Sequence, residues 1–155
     1  MQQDAFKGLK ILHLAITACL TGFTVIIFIL VKAGKLHAAN PSLERVLQFA
    51  AIFLSVVMFL IGFNMFKRKI MEARNSLVNG EARFQLYRAA CIVWWAMLEA
   101  PGMFAVIGFV LTGNYAFLAL AIVHVLALLA FMPRKDNIAV LLNLSSQEAA
   151  QLEGK

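Results

Sequence analysis

The sequence predicts an all-α integral membrane protein: a four-helix bundle with a basic helical hairpin extension on the cytoplasmic side and a short C-terminal interfacial helix. Three observations predict it. Hydrophobic residues are 62% of the 155 and charged residues only 14%, where soluble domains carry about 25% charged. Four stretches, 11–31, 46–66, 89–111 and 115–132, each come close to the roughly 20 apolar residues that carry a helix across a bilayer core. The basic residues are segregated between the ends of these stretches. Lys7 and Lys10 precede the first, Lys67, Arg68, Lys69, Arg74, Arg83 and Arg88 lie between the second and third, and Arg134, Lys135 and Lys155 follow the fourth. Only Lys32, Lys35 and Arg45 fall on the other side. The positive-inside rule then places both termini and the middle loop in the cytoplasm of a multi-pass protein of a bacterial inner membrane.

This composition excludes disorder, collagen, a disulfide scaffold and an ordinary soluble enzyme. The net charge of +6 is a topology signal here, and no nucleic-acid partner is expected. Residues 1–133 form one membrane domain and 134–155 a cytoplasmic amphipathic tail. The first stretch is longer than the 7–15 apolar residues of a cleaved signal peptide. The elements follow in order. After a short polar start, the first span runs from Ile11 to Val31. Asn40 suits an N-cap and Pro41 a first helical position, so the second helix is expected to begin near Pro41. Ile70, Met71, Leu77 and Val78 recur at helical spacing among charges. The second helix therefore extends to about Leu77, a turn follows at Asn79–Gly80, and the third helix begins near Glu81. Arg68 and Glu72 are placed to pair across one turn. Thr112–Asn114 is too short for anything but an antiparallel turn into the fourth span. Pro133 ends that span. Ile138, Leu141, Leu142 and Leu144 then mark an interfacial helix, and Ser145 with Glu148 reads as a capping box.

The chemistry-bearing residues are few. Glu99 sits near the middle of the third stretch, followed by Pro101 and Gly102. A charged carboxylate at the bilayer centre costs roughly 2.5–3.5 kcal/mol on insertion scales, so it must face the bundle, carry a proton or find a partner. Pro101 removes a backbone donor and kinks the helix beside it. His124 is the second mid-span group. Counting outward from the tight turn puts Glu99 and His124 at similar depth, which makes them a candidate hydrogen-bonded pair: a proton or ion site, or interhelical glue. His13 is expected at the membrane interface. Thr17, Thr21 and Thr24 share one helix face and are expected to bond back to the backbone. Trp94, Trp95 and Tyr87 suit an aromatic belt, and Gly102, Ala105 and Gly108 a close-packing face. Cys19 and Cys91 differ in depth by about seven residues, roughly 10 Å, which argues against a disulfide. No CxxC is present, and no metal or cofactor is expected.

The segment Tyr87–Asn114 (YRAACIVWWAMLEAPGMFAVIGFVLTGN) resembles the carboxylate helix of rotary ATPase proteolipid subunits. That resemblance implies Glu99 as an ion-binding carboxylate. Tyr87–Arg88, Leu98–Glu99–Ala100–Pro101, Thr112–Gly113–Asn114 and Pro133–Arg134 together resemble small uncharacterised bacterial four-span proteins, and that resemblance implies no activity. The chain length and span count are also similar to the glutathione and eicosanoid membrane enzymes, although Arg88 and Glu99 stand farther apart than the polar pair of that family. The expected function is a non-enzymatic structural or accessory membrane component. Its expected partners are the lipid bilayer and either a homo-oligomer or another membrane protein. The alternative is a proton- or cation-linked channel or transporter subunit using Glu99 and His124, and an enzyme comes third.

Overall fold

A computed structural model describes residues 2–36, 43–76, 78–145 and 147–148. The described chain is all-helical: α1 (Gln2–Lys32), α2 (Glu44–Asn75), α3 (Gly80–Thr112), α4 (Tyr115–Ala130) and α5 (Lys135–Leu141). α1, α2 and α3 are long and apolar enough to cross a membrane. A fourth crossing is reached when α4 and α5 count as one span bent by 74°. α4 has 16 residues, about 24 Å of helix, and stops short of the 115–132 stretch for a local reason. Phe131 N–H reaches back to Ala127 and Leu128, Met132 N–H to Leu129, and Pro133 has no N–H to continue the ladder.

The remaining boundaries follow local chemistry. The polar start is helical and forms the first turns of α1. Gly34, at φ +68°, closes α1: Lys35 N–H bonds Leu30 O and Gly34 N–H bonds Val31 O, the paired pattern of a left-handed C-cap. The expected start of α2 at Asn40–Pro41 lies outside the described residues, as does Leu77. α2 is seen from Glu44, and no side chain among the described residues caps it. It ends at Asn75, slightly earlier than expected, and Asn79 caps α3 by accepting from Ala82 N–H at 3.0 Å. Gly113, at φ +69°, ends α3, and Asn114 caps α4 by accepting from Ala116 N–H at 2.8 Å. The Asn114 amide also donates to Glu44 at 2.6 Å, which ties this turn to the start of α2.

α3 is the centre of the bundle and packs against α1, α2 and α4. Half of its apolar window is buried (50%), against 22% for α1 and 17% for α2. This placement corrects the aromatic belt. Adjacent residues on a helix point about 100° apart, so both are buried only when the helix has neighbours on several sides. Trp94 meets Phe59, Phe63 and Phe66 of α2, Trp95 meets His13 of α1 at 4.7 Å, and both are fully buried. His13 is likewise buried, between Trp95 of α3 and the end of α4. The small-residue face does bring helices close: a Cβ on Gly102 would lie 3.0 Å from His124 Cβ, and one on Gly108 would lie 2.5 Å from the Phe117 ring. Gly62 of α2 makes the same room for Trp94. α5 turns Ile138 and Leu142 into the core cluster containing Trp94, Trp95 and Leu98. Its apolar residues are thus divided, Ile138 and Leu142 entering the bundle while Val140 and Leu141 stay exposed.

Candidate functional site

α3 and α4 are antiparallel, and Gly102 stands opposite His124. Glu99 is three residues earlier, about 4.5 Å along the axis, so the expected similarity of depth holds to within one turn. The direction of the side chains differs. Glu99 points about 60° round the helix from Gly102, toward the flank on which Trp95 meets α1. It is half-buried beside exposed Ala96 and Ala100, and makes no hydrogen bond or ion pair with any described residue. His124 is buried, and its Nε2 lies 3.0 Å from Ser55 Oγ of α2. The structure therefore does not join Glu99 to His124. Counting residues from a turn gives height but not azimuth, which is why the two matched in sequence. Ser55 was missed, although it is the one hydroxyl in the 46–66 stretch, and that was its available signal. His124 Nδ1 is buried against the Leu98 carbonyl of α3, in a contact short of a well-formed hydrogen bond. Pro101 is buried on the packed side of α3, next to Gly102, and the helix runs unbroken through both.

The other buried polar groups serve the bundle. His13 Nε2 lies 2.9 Å from Leu128 O, one of the last carbonyls of α4, which within its own helix accepts only the tightened three-residue bond from Phe131 N–H at 3.1 Å. Thr17 and Thr24 hydroxyls donate to His13 O and Leu20 O one turn back, at 2.9 and 2.7 Å, as expected. Cys19 is exposed, Cys91 buried, and both are free thiols.

The basic end is more differentiated than the sequence implied. Lys67, Arg68, Lys69 and Arg74 are exposed along α2, whereas Arg83 and Arg88 of α3 are half-buried. Arg68 and Glu72 do not close an ion pair. Arg83 is an anchor: it donates to Leu142 O at 3.1 Å, Asn143 O at 3.2 Å and Glu148 at 2.8 Å. Ser145 and Glu148 form the expected capping box, with Ser145 N–H donating to Glu148 at 2.8 Å and Glu148 N–H donating to Ser145 Oγ at 3.3 Å. The Ser145 N–H and hydroxyl, and then Arg83, hold the Glu148 carboxyl below the usual carboxylate range. The Glu148 side chain packs on Gly80, where a Cβ would fall 2.7 Å from the carboxyl oxygen.

Among the described residues, no three His, Cys, Asp or Glu side chains gather in a metal-holding arrangement. Compared with protein-family models, curated proteins and solved structures, the chain gives no match in any of the three.

Proposed function

We propose that the protein is a non-enzymatic membrane component, an accessory or assembly subunit, that associates with a second copy of itself through the outward face of α3 at Glu99. The observation that carries this reading is a half-buried carboxyl, without a partner among the described residues, midway along a helix apolar enough to cross a membrane. In lipid such a group is stabilised by hydrogen bonds from a neighbouring helix. Ala96 and Ala100, exposed and four residues apart, leave room for a second helix to approach closely. The bundle's own buried polar groups are already engaged as interhelical glue at His13–Leu128 and His124–Ser55. The basic end faces the cytoplasm of a bacterial inner membrane on the strength of the eleven-to-three charge bias. Co-purification of two differently tagged copies in mild detergent tests the reading. The wild type and Glu99→Gln, which keeps a hydrogen-bonding group, should pull down their partner copy, and Glu99→Leu should not. Equal recovery for all three would remove Glu99 from the interface.

The second reading is a proton- or cation-linked channel or transporter subunit. It is favoured by two titratable groups within one turn of each other in depth, the Glu99 carboxyl, which has no partner among the described residues, and the His124 imidazole. It requires that Glu99→Gln abolish proton flux in liposomes while self-association survives. It also requires that a hydrophobic carbodiimide label Glu99 less as pH rises.

A further inference from the structure

The 74° step between α4 and α5 leaves two adjoining grooves at the basic end, and they share Phe66 and Leu141. The first, about 340 Å³, runs along α2 past Phe63, Phe66, Lys67, Ile70 and Arg74. The second, about 300 Å³, lies under the bend between Tyr87, Cys91, Trp94, Phe131, Arg134 and Asn137.

The α2 stripe has graded polarity. Residues 63, 66, 67, 70 and 74 follow helical spacing, so they share one face. Its inner end is apolar and half open, with Phe63 exposed. Toward the outer end come Lys67 and Arg74, about 10 Å apart along the axis. Arg134 stands across from them at the rim of the second groove. All three cations are exposed, and none pairs with a described acidic residue. Three unneutralised cations beyond an apolar trough match one kind of molecule: a phosphate head with hydrocarbon below it.

We infer that these joined grooves bind an anionic phospholipid from the leaflet at the basic end, its phosphate held by Lys67, Arg74 and Arg134 and its acyl chain lying on Phe63 and Phe66. The site rests on the membrane reading above but not on the role of Glu99. Its occupant would pack α5 against α2 and fix the angle of the α4–α5 bend.

The two tryptophans of the chain, Trp94 and Trp95, both line the second groove, so quenching by bromine on lipid tails reports occupancy directly. The full chain is reconstituted in phosphatidylcholine vesicles, and carbonate-resistant incorporation is scored first. Brominated phosphatidylglycerol or brominated phosphatidylcholine is then titrated in. The expected result is about tenfold preference for phosphatidylglycerol, in line with a modest gain per cation. The preference should fall to near unity in Lys67→Gln/Arg74→Gln/Arg134→Gln and persist in Arg68→Gln/Lys69→Gln, which removes charge outside the groove. Three outcomes overturn the proposal: equal quenching by both lipids, equal loss of preference in the two variants, or displacement of phosphatidylglycerol by millimolar inorganic phosphate, which would mark a free-anion site. Failure of incorporation overturns the membrane reading and this site with it, whereas incorporation with equal quenching overturns this site alone.

Discussion

His124 Nε2 lies 3.0 Å from Ser55 Oγ, so the mid-bundle histidine bridges α4 to α2 while Glu99, within a turn of it in depth, faces outward. The polar groups of the bundle centre thus divide into an inner pair joined across α2 and α4 and one carboxyl without a partner among the described residues.

That division has an energetic signature. In a double-mutant cycle of Ser55→Ala with His124→Ala, unfolding in mixed micelles should give a coupling of about 0.6–1.7 kcal/mol, the range of interhelical hydrogen bonds in membrane proteins. The cycle of Glu99→Gln with His124→Ala should give a coupling near zero. A larger coupling for Glu99 with His124 than for Ser55 with His124 would reverse the assignment.

His13 should matter through α4 and not through the interface. His13→Leu removes the side-chain donor of the buried Leu128 carbonyl, which keeps its bond from Phe131 N–H, at a cost of about 0.5–1.5 kcal/mol. The measurement is thermal unfolding followed by far-ultraviolet circular dichroism. An unchanged midpoint would mean that the carbonyl needs no second donor.

The glycines separate packing from propensity. Gly108→Ala places a methyl 2.5 Å from the Phe117 ring and should destabilise by about 1–3 kcal/mol, as overpacking does. Gly22→Ala meets nothing within 4 Å and should be neutral, or stabilising by up to about 1 kcal/mol through helix propensity. A reversed order in the two melting temperatures would contradict the α3–α4 register.

These positions also show what the sequence could and could not carry. Gly102, Ala105 and Gly108 were legible as a packing face because small residues at helical spacing have one use between helices. The break at Asn79–Gly80 and the Ser145–Glu148 box were legible because turn and cap chemistry is local. The inward turn of His13, Trp94 and Trp95 was not. Position along a span sets depth, but the number of neighbours around a helix sets which side is buried, and the central place of α3 is a property of the whole bundle. Glu99 failed to meet His124 for the same reason. Arg83 was read as surface charge because its partners, Leu142 O, Asn143 O and Glu148, lie about sixty residues away.

The tail latch should respond to acid. The carboxyl of Glu148 is held below the usual carboxylate range by Ser145 first and Arg83 after it. Its contribution is therefore fully present above the ordinary carboxylate pKa of about 4.3 and is lost as pH falls through the lower folded value. Amide exchange at residues 142–145 should be protected at neutral pH and should rise below about pH 4. In Glu148→Gln the protection should be weak at every pH. Protection that is unaffected by acid in the wild type would show that the backbone contacts of Arg83 hold the tail alone.

The most direct test of the account is in-membrane cross-linking at Ala100, which is exposed beside Glu99. Ala100→Cys is introduced with Cys19→Ser, and buried Cys91 is left in place. Oxidation in native vesicles should give a disulfide-linked dimer with Glu99 or Glu99→Gln, and little or none with Glu99→Leu. A dimer yield that ignores the residue at 99, or the absence of any cross-link at 100 in the wild-type background, would contradict self-association through the outward carboxyl of α3.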